Sequence, residues 1–166
     1  EDEGEALTGE KDPLLAANKA LEWVDLVLCT AGPVGLYMAG YTDEPAKRET
    51  TLPLLPGNIP EFNKYEFSRA MRKQDCKDPV KVYSHIGPYL GGPLEIKNTN
   101  GAGDGALSAL LHDMAANSYH HVNVPNSEKH EHACLTYSSL SQICKYANRV
   151  SYEVLTQHSP LSLIHI

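Results

Sequence analysis

The feature that most constrains this chain is a short glycine-rich segment, Gly-Ala-Gly-Asp at residues 101–104, which leads directly into a strong helix-forming run. Small residues at a helix start let backbone N–H groups approach an anion closely, and the helix dipole adds partial positive charge there. The segment therefore suits a phosphate, or the charge that develops during phosphoryl transfer. Asp104 falls on the first turn, where a carboxylate can take a proton from a hydroxyl that attacks a phosphate.

Other glycine-loop motifs do not fit these residues. A P-loop ends in Gly-Lys-Ser/Thr, and no lysine follows here. The dinucleotide fingerprint is G-x-G-x-x-G after an apolar strand, whereas this segment reads G-x-G-x-G without one. A tight turn followed by an acidic helix cap is the remaining alternative, and the four residues alone leave it open.

Apolar runs upstream of the loop predict β-strands, so the chain is expected to be α/β. Residues 25–30 and 35–41 are rich in strand-forming side chains, and the Ala-Gly-Pro sequence at 31–33 predicts a turn between them. A shorter strand is predicted at 81–83. Strands of this kind, combined with helices, are typical of a layered α/β domain.

Helical spacing of apolar residues predicts further helices at 13–23 and 133–157. Residues 42–97 differ, because they are rich in proline and show little periodicity beyond one helix expected at 60–73. A segment this long with so little regular structure is typical of a functional region or an insertion. The polar, histidine-rich residues 118–132 predict a loop.

Composition excludes several classes of function. The 166 residues include 14 Lys and Arg against 21 Asp and Glu, a formal net charge of −7, which disfavours nucleic acid as the main partner. The longest uncharged run, residues 26–42, is interrupted by glycine and proline, so no membrane helix or membrane partner is expected. Four widely spaced cysteines without a C-x-x-C pair predict free thiols and a cytoplasmic location.

Several motifs together resemble the ribokinase/PfkB family of sugar and nucleoside kinases. Residues 98–104, N-T-N-G-A-G-D, resemble its D-T-x-G-A-G-D signature, and residues 30–35, T-A-G-P-V-G, resemble its T-x-G-x-x-G nucleotide turn. Glu3 matches the glutamate of its N-x-x-E motif. Residues 146–150 fall where the last core helix of the family borders the adenine. The likeness extends over residues 1–160 and is greatest to members that phosphorylate purine nucleosides.

The resemblance implies a reaction and a role for the glycine loop. The activity would be ATP-dependent phosphorylation of a nucleoside 5′-hydroxyl in purine salvage, with a different sugar or nucleoside substrate, or a non-catalytic anion-binding module, as alternatives. Asp104 would be the general base. The anion hole for the transferred phosphoryl group would be formed by Gly101, Ala102 and Gly103.

The resemblance also implies the cofactors ATP and Mg²⁺. The residues that would line the phosphates and ribose of ATP are Thr30, Gly32 and Gly35, while Asn148 would lie near the adenine. Glu3 would help to position Mg²⁺, through water. Asn98 and Asn100 replace residues that contribute to a monovalent-cation site in some relatives, which leaves a K⁺ site open.

The family pattern further implies that this chain is the C-terminal part of a longer enzyme. Its fold would be a partial ribokinase-like three-layer α/β/α arrangement that lacks the N-terminal strands and the lid. Residues 1–160 would form one nucleotide-binding domain with an insertion at 42–97, and residues 161–166 would be a non-native tail. Such a part is expected to be inactive alone, and the complete enzyme is expected to allow a homodimer.

Three other groups of residues have plainer interpretations. The histidines match no standard zinc spacing and predict a solvated loop; they are His112, His120, His121, His130 and His132. Cys29 lies within an apolar run and is expected to be a small buried hydrophobe. Tyrosines assigned to the final helix are expected to pack in the core; they are Tyr137, Tyr146 and Tyr152.

Overall fold

The structure is a computed structural model, and it describes residues 2–43, 47–49, 65–67, 70–90, 95–126 and 134–157. The α-helices in these ranges are α1 (Asp2–Thr8), α2 (Pro13–Ala20), α3 (Ala102–Asn123) and α4 (Leu140–Leu155). The strands are β1 (Leu26–Thr30), β2 (Leu36–Asp43), β3 (Lys47–Glu49), β4 (Tyr65–Phe67) and β5 (Pro79–Ile86). The tail at 161–166, His130, His132 and part of the 42–97 segment lie outside the described residues.

The main sheet has three antiparallel strands in the order β1-β2-β5, with β2 in the centre. Thr30 pairs with Leu36 across β1 and β2, and Leu36 pairs with Ile86 across β2 and β5. The strands predicted at 25–30, 35–41 and 81–83 are therefore confirmed, the last as part of the longer β5. A separate antiparallel pair is formed by β3 and β4.

Helices pack on both faces of this sheet. Alternate side chains of β2 lie on opposite faces and belong to two different apolar clusters. On one face, Leu36 and Met38 pack with side chains of α3 and α4. On the other face, Ala39 and Tyr41 pack with Leu14 and other side chains of α2. The period of two along a strand produces this division. The mixed α/β class expected from the sequence is confirmed.

Helix α2 begins where the sequence predicts it. Asp12 is its N-cap: one carboxylate oxygen accepts from the backbone N–H of Leu14 at 2.8 Å and of Leu15 at 3.1 Å, and Pro13 occupies the first helical position. The helix ends at Ala20, which is earlier than the predicted residue 23. The hydroxyl of Tyr41 donates to the Leu21 carbonyl at 2.7 Å and fixes the chain as it leaves the helix.

Helix α4 begins at Leu140, so the prediction of a helix from residue 133 was wrong over its first part. The buried carboxylate of Asp113, on α3, accepts from the backbone N–H groups of Tyr137 at 2.7 Å and Ser138 at 2.9 Å. These bonds hold the preceding segment outside the helix. Ser139 then caps α4, with its side chain and that of Gln142 forming a reciprocal capping box.

Two other predictions were wrong. Residues 65–67 form β4, and Met71 bridges Tyr41 and Cys134, so the described part of the region predicted as a helix at 60–73 contains no α-helix. Helix α3 continues to Asn123, so residues 118–123 are helical rather than a loop. Long-range contacts stabilise this polar end of α3, where the side-chain amide of Asn117 donates to the Cys134 carbonyl at 2.9 Å.

None of the four cysteines forms a disulfide, so all four are thiols, as the sequence predicts. Cys29 is buried on β1, which agrees with a small apolar role. Cys144 is completely buried on α4, and burial raises the pKa of its thiol, with a partial opposing effect from Ser84. This thiol is therefore neutral near pH 7. No helix in the described ranges combines the length and apolar character needed to span a bilayer.

Candidate active site

The glycine loop forms the start of α3. Gly101 is the N-cap residue in the left-handed conformation, with φ 82°, and its carbonyl accepts from the N–H of Gly105 at 2.8 Å. A side chain at Gly101 would strain this backbone, which explains the glycine there. The helix begins at Ala102, and a Cβ added at Gly103 would meet no atom within 4 Å. The surface beside Gly103, in the first turn of α3, is therefore open.

Asp104 lies in the first turn of α3 and is exposed. Its backbone carbonyl accepts from the Ser108 hydroxyl at 2.8 Å, which is a contact within the same helix. An exposed carboxylate beside the N–H groups of a helix start can accept a proton from a hydroxyl group presented to that start. The structure thus places an exposed carboxylate in the first turn of the helix that begins at the glycine loop, and the roles of this turn as an anion site and of Asp104 as a base stay predictions.

Helix α4 packs tightly against the glycine loop. The Ser151 hydroxyl donates to the Ala102 carbonyl at 2.6 Å. A Cβ added at Gly105 would lie 3.0 Å from Cγ2 of Val154, so the two helices approach closely there. The carbonyl of Leu155 accepts from the backbone N–H of Lys97 at 2.9 Å, which holds the segment that enters the loop. The position of the loop is consequently set by the last turns of α4.

The turn at residues 30–35 lies against the end of β5. Gly32 has φ 49° and Gly35 has φ 103°, and the carbonyl of Gly35 accepts from the N–H of Ala31 at 2.9 Å. A Cβ added at Gly35 would lie 2.1 Å from the carbonyl oxygen of Ile86. Only glycine fits this approach of two backbones. Thr30 is the last residue of β1 and leads into the turn.

Asn148 joins α4 to the end of β5. Its buried side-chain amide donates to the carbonyl of Ile86 at 3.0 Å and to that of Gly87 at 2.6 Å. A cavity of about 600 Å³ opens beside these atoms. It is lined by the end of β5, the segment after it and one side of α4, namely Ile86, Gly87, Pro88, Tyr89, Leu90, Lys145, Tyr146, Asn148 and Arg149.

The tyrosines expected on the final helix differ from that prediction in two cases. Tyr137 precedes α4, and Tyr146 is 45% exposed at the cavity. Tyr152 is half-buried and packs edge-on against Tyr89, with ring centroids 5.2 Å apart. An aromatic residue at helical spacing predicts burial only if the facing surface is filled, and beside Tyr146 that surface is a cavity.

Glu3 is an exposed residue of α1. Its neighbour Gly4 lies close to the end of β1, because a Cβ there would be 3.8 Å from Sγ of Cys29. A carboxylate is a ligand that Mg²⁺ prefers. In the described ranges no three His, Cys, Asp or Glu side chains cluster as a metal cage would require.

The structure thus connects most of the residues that the sequence singled out. The turn at 30–35 contacts Ile86, Asn148 binds the same carbonyl, and α4 carries both Asn148 and the serine that binds the glycine loop. Glu3 precedes Gly4, which lies close to the end of β1. Sequence reasoning missed Ser151, since a single serine within a helix gives no signal of a contact across to another helix.

No family model matches the chain. Three curated proteins named guanosine-inosine kinase, from Escherichia coli strain K12, strain CFT073 of serotype O6:H1 and serotype O157:H7, are each 74% identical to it over 160 residues. The matched residues make up 96% of this chain and 37% of each relative. The chain therefore spans little more than a third of the length of the curated relatives that it matches.

Proposed function

We propose that this chain supplies the nucleotide-binding and phosphoryl-transfer part of a purine nucleoside kinase, which phosphorylates inosine and guanosine to IMP and GMP with ATP in purine salvage. The observation that carries the proposal is the 74% identity, over 96% of the chain, to proteins named guanosine-inosine kinase. The geometry of the glycine loop supports it, because a helix N-terminus and an exposed carboxylate meet there. The fold would be the C-terminal part of a ribokinase-like domain, with residues 1–160 native and 161–166 a non-native tail.

In this proposal the chain's own residues perform three tasks at the glycine loop. The backbone N–H groups of Gly101, Ala102 and Gly103 stabilise the charge on the phosphoryl group during transfer. Asp104 accepts the proton of the nucleoside 5′-hydroxyl as that oxygen attacks phosphorus. The dipole of α3, a 22-residue helix, adds favourable potential at the same point.

The remaining residues would hold the nucleotide. Thr30, Gly32 and Gly35 would face the phosphates and ribose of ATP, and the cavity beside Asn148 would receive the adenine. The amide of Asn148 would then act through the Ile86 and Gly87 carbonyls that it fixes. Mg²⁺, when bound, neutralises phosphate charge, and Glu3 would orient its water ligands. A K⁺ site and a homodimer of the complete enzyme belong to the same proposal, as does a cytoplasmic location.

The test uses a chimera in which this chain replaces the matching segment of the K12 guanosine-inosine kinase. We expect the chimera to form IMP from inosine and ATP, and Asp104→Asn to lower kcat by about 10²- to 10⁴-fold, since an amide cannot act as the base. Glu22→Gln removes an exposed carboxylate elsewhere and is the matched control. A chimera without turnover contradicts the proposed function, and an Asp104→Asn chimera with near-parental kcat contradicts the role of Asp104.

The same assay separates the alternatives. A kinase with another substrate would phosphorylate a different sugar or nucleoside faster than inosine. A non-catalytic anion-binding module would bind ATP in the chimera without phosphorylating a nucleoside. Its ATP binding would not change when Asp104 is changed to Asn, because a phosphate binder has no need of a base beside its anion site.

A further inference from the structure

The Ser151 hydroxyl forms a hydrogen bond with a different helix rather than with its own. A serine within a helix usually donates to a carbonyl of its own helix, four residues earlier. The Ser151 hydroxyl instead donates across to the Ala102 carbonyl on α3, at 2.6 Å and in a partly buried position. That carbonyl belongs to the first residue of α3, so the contact is made at the helix end that carries the anion-binding N–H groups.

The same part of α4 also lines the cavity. Asn148 lies three residues before Ser151, so the two side chains are neighbours on the helix surface. Asn148 binds the Ile86 and Gly87 carbonyls, both of which border the cavity. One short stretch of α4 therefore contacts the cavity wall through Asn148 and the glycine loop through Ser151.

The glycine loop contacts α4 at several points, so a shift of the loop would also displace α4. A Cβ at Gly105 would lie 3.6 Å from Cα of Ser151, which shows that the two helices approach closely there. The backbone N–H groups of Lys97 and Asn98 both donate to the Leu155 carbonyl, at 2.9 and 3.3 Å. The entering segment and the helix start are thus attached to α4 at separate points, and Ser151 provides the side-chain attachment closest to the N–H groups.

We infer that Ser151 is a positioning residue, which fixes the anion-binding N–H groups of residues 101–103 relative to the cavity that receives the nucleotide. The inference rests on the proposed function, because it requires that the N–H groups of residues 101–103 bind the transferred phosphoryl group. Small displacements of groups that stabilise a transition state are costly in rate. The hydrogen bonds by which Asn148 fixes the cavity wall do not involve Ser151. Loss of the Ser151 hydroxyl should therefore slow phosphoryl transfer without weakening ATP binding.

The test compares Ser151→Ala, Ser151→Thr and Ser118→Ala in the chimera described above. Ser118 donates to the Met114 carbonyl of its own helix at 3.3 Å, so its loss removes a serine hydroxyl away from the site. We expect Ser151→Ala to lower kcat about tenfold, the scale of one lost hydrogen bond, with KM for ATP changed less than about twofold. Ser151→Thr keeps a hydroxyl and should recover most of kcat, while Ser118→Ala should match the parental chimera.

Hydrogen exchange supplies a second readout that does not depend on turnover. In Ser151→Ala, exchange should accelerate in peptides covering residues 98–106 and stay unchanged in peptides covering 140–147 at the start of α4. A merely structural role would accelerate both segments.

The failures of the two proposals can be distinguished. A parental chimera that lacks turnover contradicts the proposed function, and the exchange data still decide whether Ser151 holds the loop. If Asp104→Asn inactivates the chimera but Ser151→Ala keeps full kcat, the proposed function stands and the inference is overturned. Equal loss in Ser151→Ala and Ser151→Thr, or exchange that is unchanged or accelerated in both segments, also overturns it.

Discussion

At the scale of single residues, two glycines explain why the loops of the candidate site have their shapes. Gly101 has φ 82° and Gly35 has φ 103°, a region that residues with a side chain rarely adopt. Gly35 carries a second constraint, because a Cβ would lie 2.1 Å from the carbonyl oxygen of Ile86. The sequence indicated both glycines through their motifs, but the close approach of Gly35 to β5 joins residues 51 positions apart and could be seen only in the fold.

Gly35→Ala tests this account of the turn. The substitution forces both a strained φ and a displacement of the Ile86 backbone, so we expect it to lower the free energy of unfolding by at least ~2 kcal/mol. Gly87→Ala is the control, since a Cβ there would meet no atom within 4 Å and its φ is not positive. Urea unfolding of the two chimeras measures the difference, and equal stabilities would contradict the described approach.

At the scale of elements, the sequence predicted what depends on neighbours along the chain and missed what depends on distant contacts. Asp12 followed by Pro13 marks the start of α2, and apolar runs mark β1 and β2. The start of α4 was missed because the Asp113 carboxylate, from another helix, holds residues 137 and 138 in a non-helical arrangement. The helix expected at 60–73 failed for a similar reason, since Met71 pairs with Tyr41 across the fold.

Replacement by alanine should lower mainly the stability at one aspartate of α3 and mainly the turnover at another. Asp113 is 5% exposed and accepts two backbone hydrogen bonds, so Asp113→Ala leaves buried N–H groups without partners and should cost about 3 kcal/mol of stability. Asp104 is exposed, so Asp104→Ala should change stability by less than ~0.5 kcal/mol while lowering kcat as strongly as Asp104→Asn. Urea unfolding and initial rates of both chimeras check this. A large loss of stability in Asp104→Ala would show that its carboxylate supports the fold, and near-parental turnover would contradict its assignment as a base.

At the scale of the whole molecule, the described elements form a mixed α/β arrangement. The 160 residues matched by the curated relatives make up 37% of the length of each relative. Large apolar side chains on α3 are exposed, among them Leu107 at 47%, Leu111 at 56% and Val122 at 76%. Apolar stretches of this kind are often contact surfaces. The fold class followed from the sequence, whereas the ribokinase-like layering stays a prediction.

The chain alone is expected to lack kinase activity. The proposed transfer site is open around Gly103 and Asp104, and water would compete there with the nucleoside unless further protein encloses it. Formation of IMP from inosine and ATP should be undetectable with the isolated chain and clear with the chimera at equal concentrations. Turnover by the isolated chain at a rate near that of the chimera would contradict this expectation.

A crystal structure of the chimera with inosine and a non-hydrolysable ATP analogue would show whether the glycine loop receives the phosphoryl group beside Asp104. We predict that the terminal phosphate lies about 3 Å from the backbone nitrogens of the loop, with the inosine 5′-hydroxyl beside the Asp104 carboxylate. The adenine should occupy the cavity next to Asn148. A nucleotide bound with its phosphates away from residues 101–104 would contradict the account.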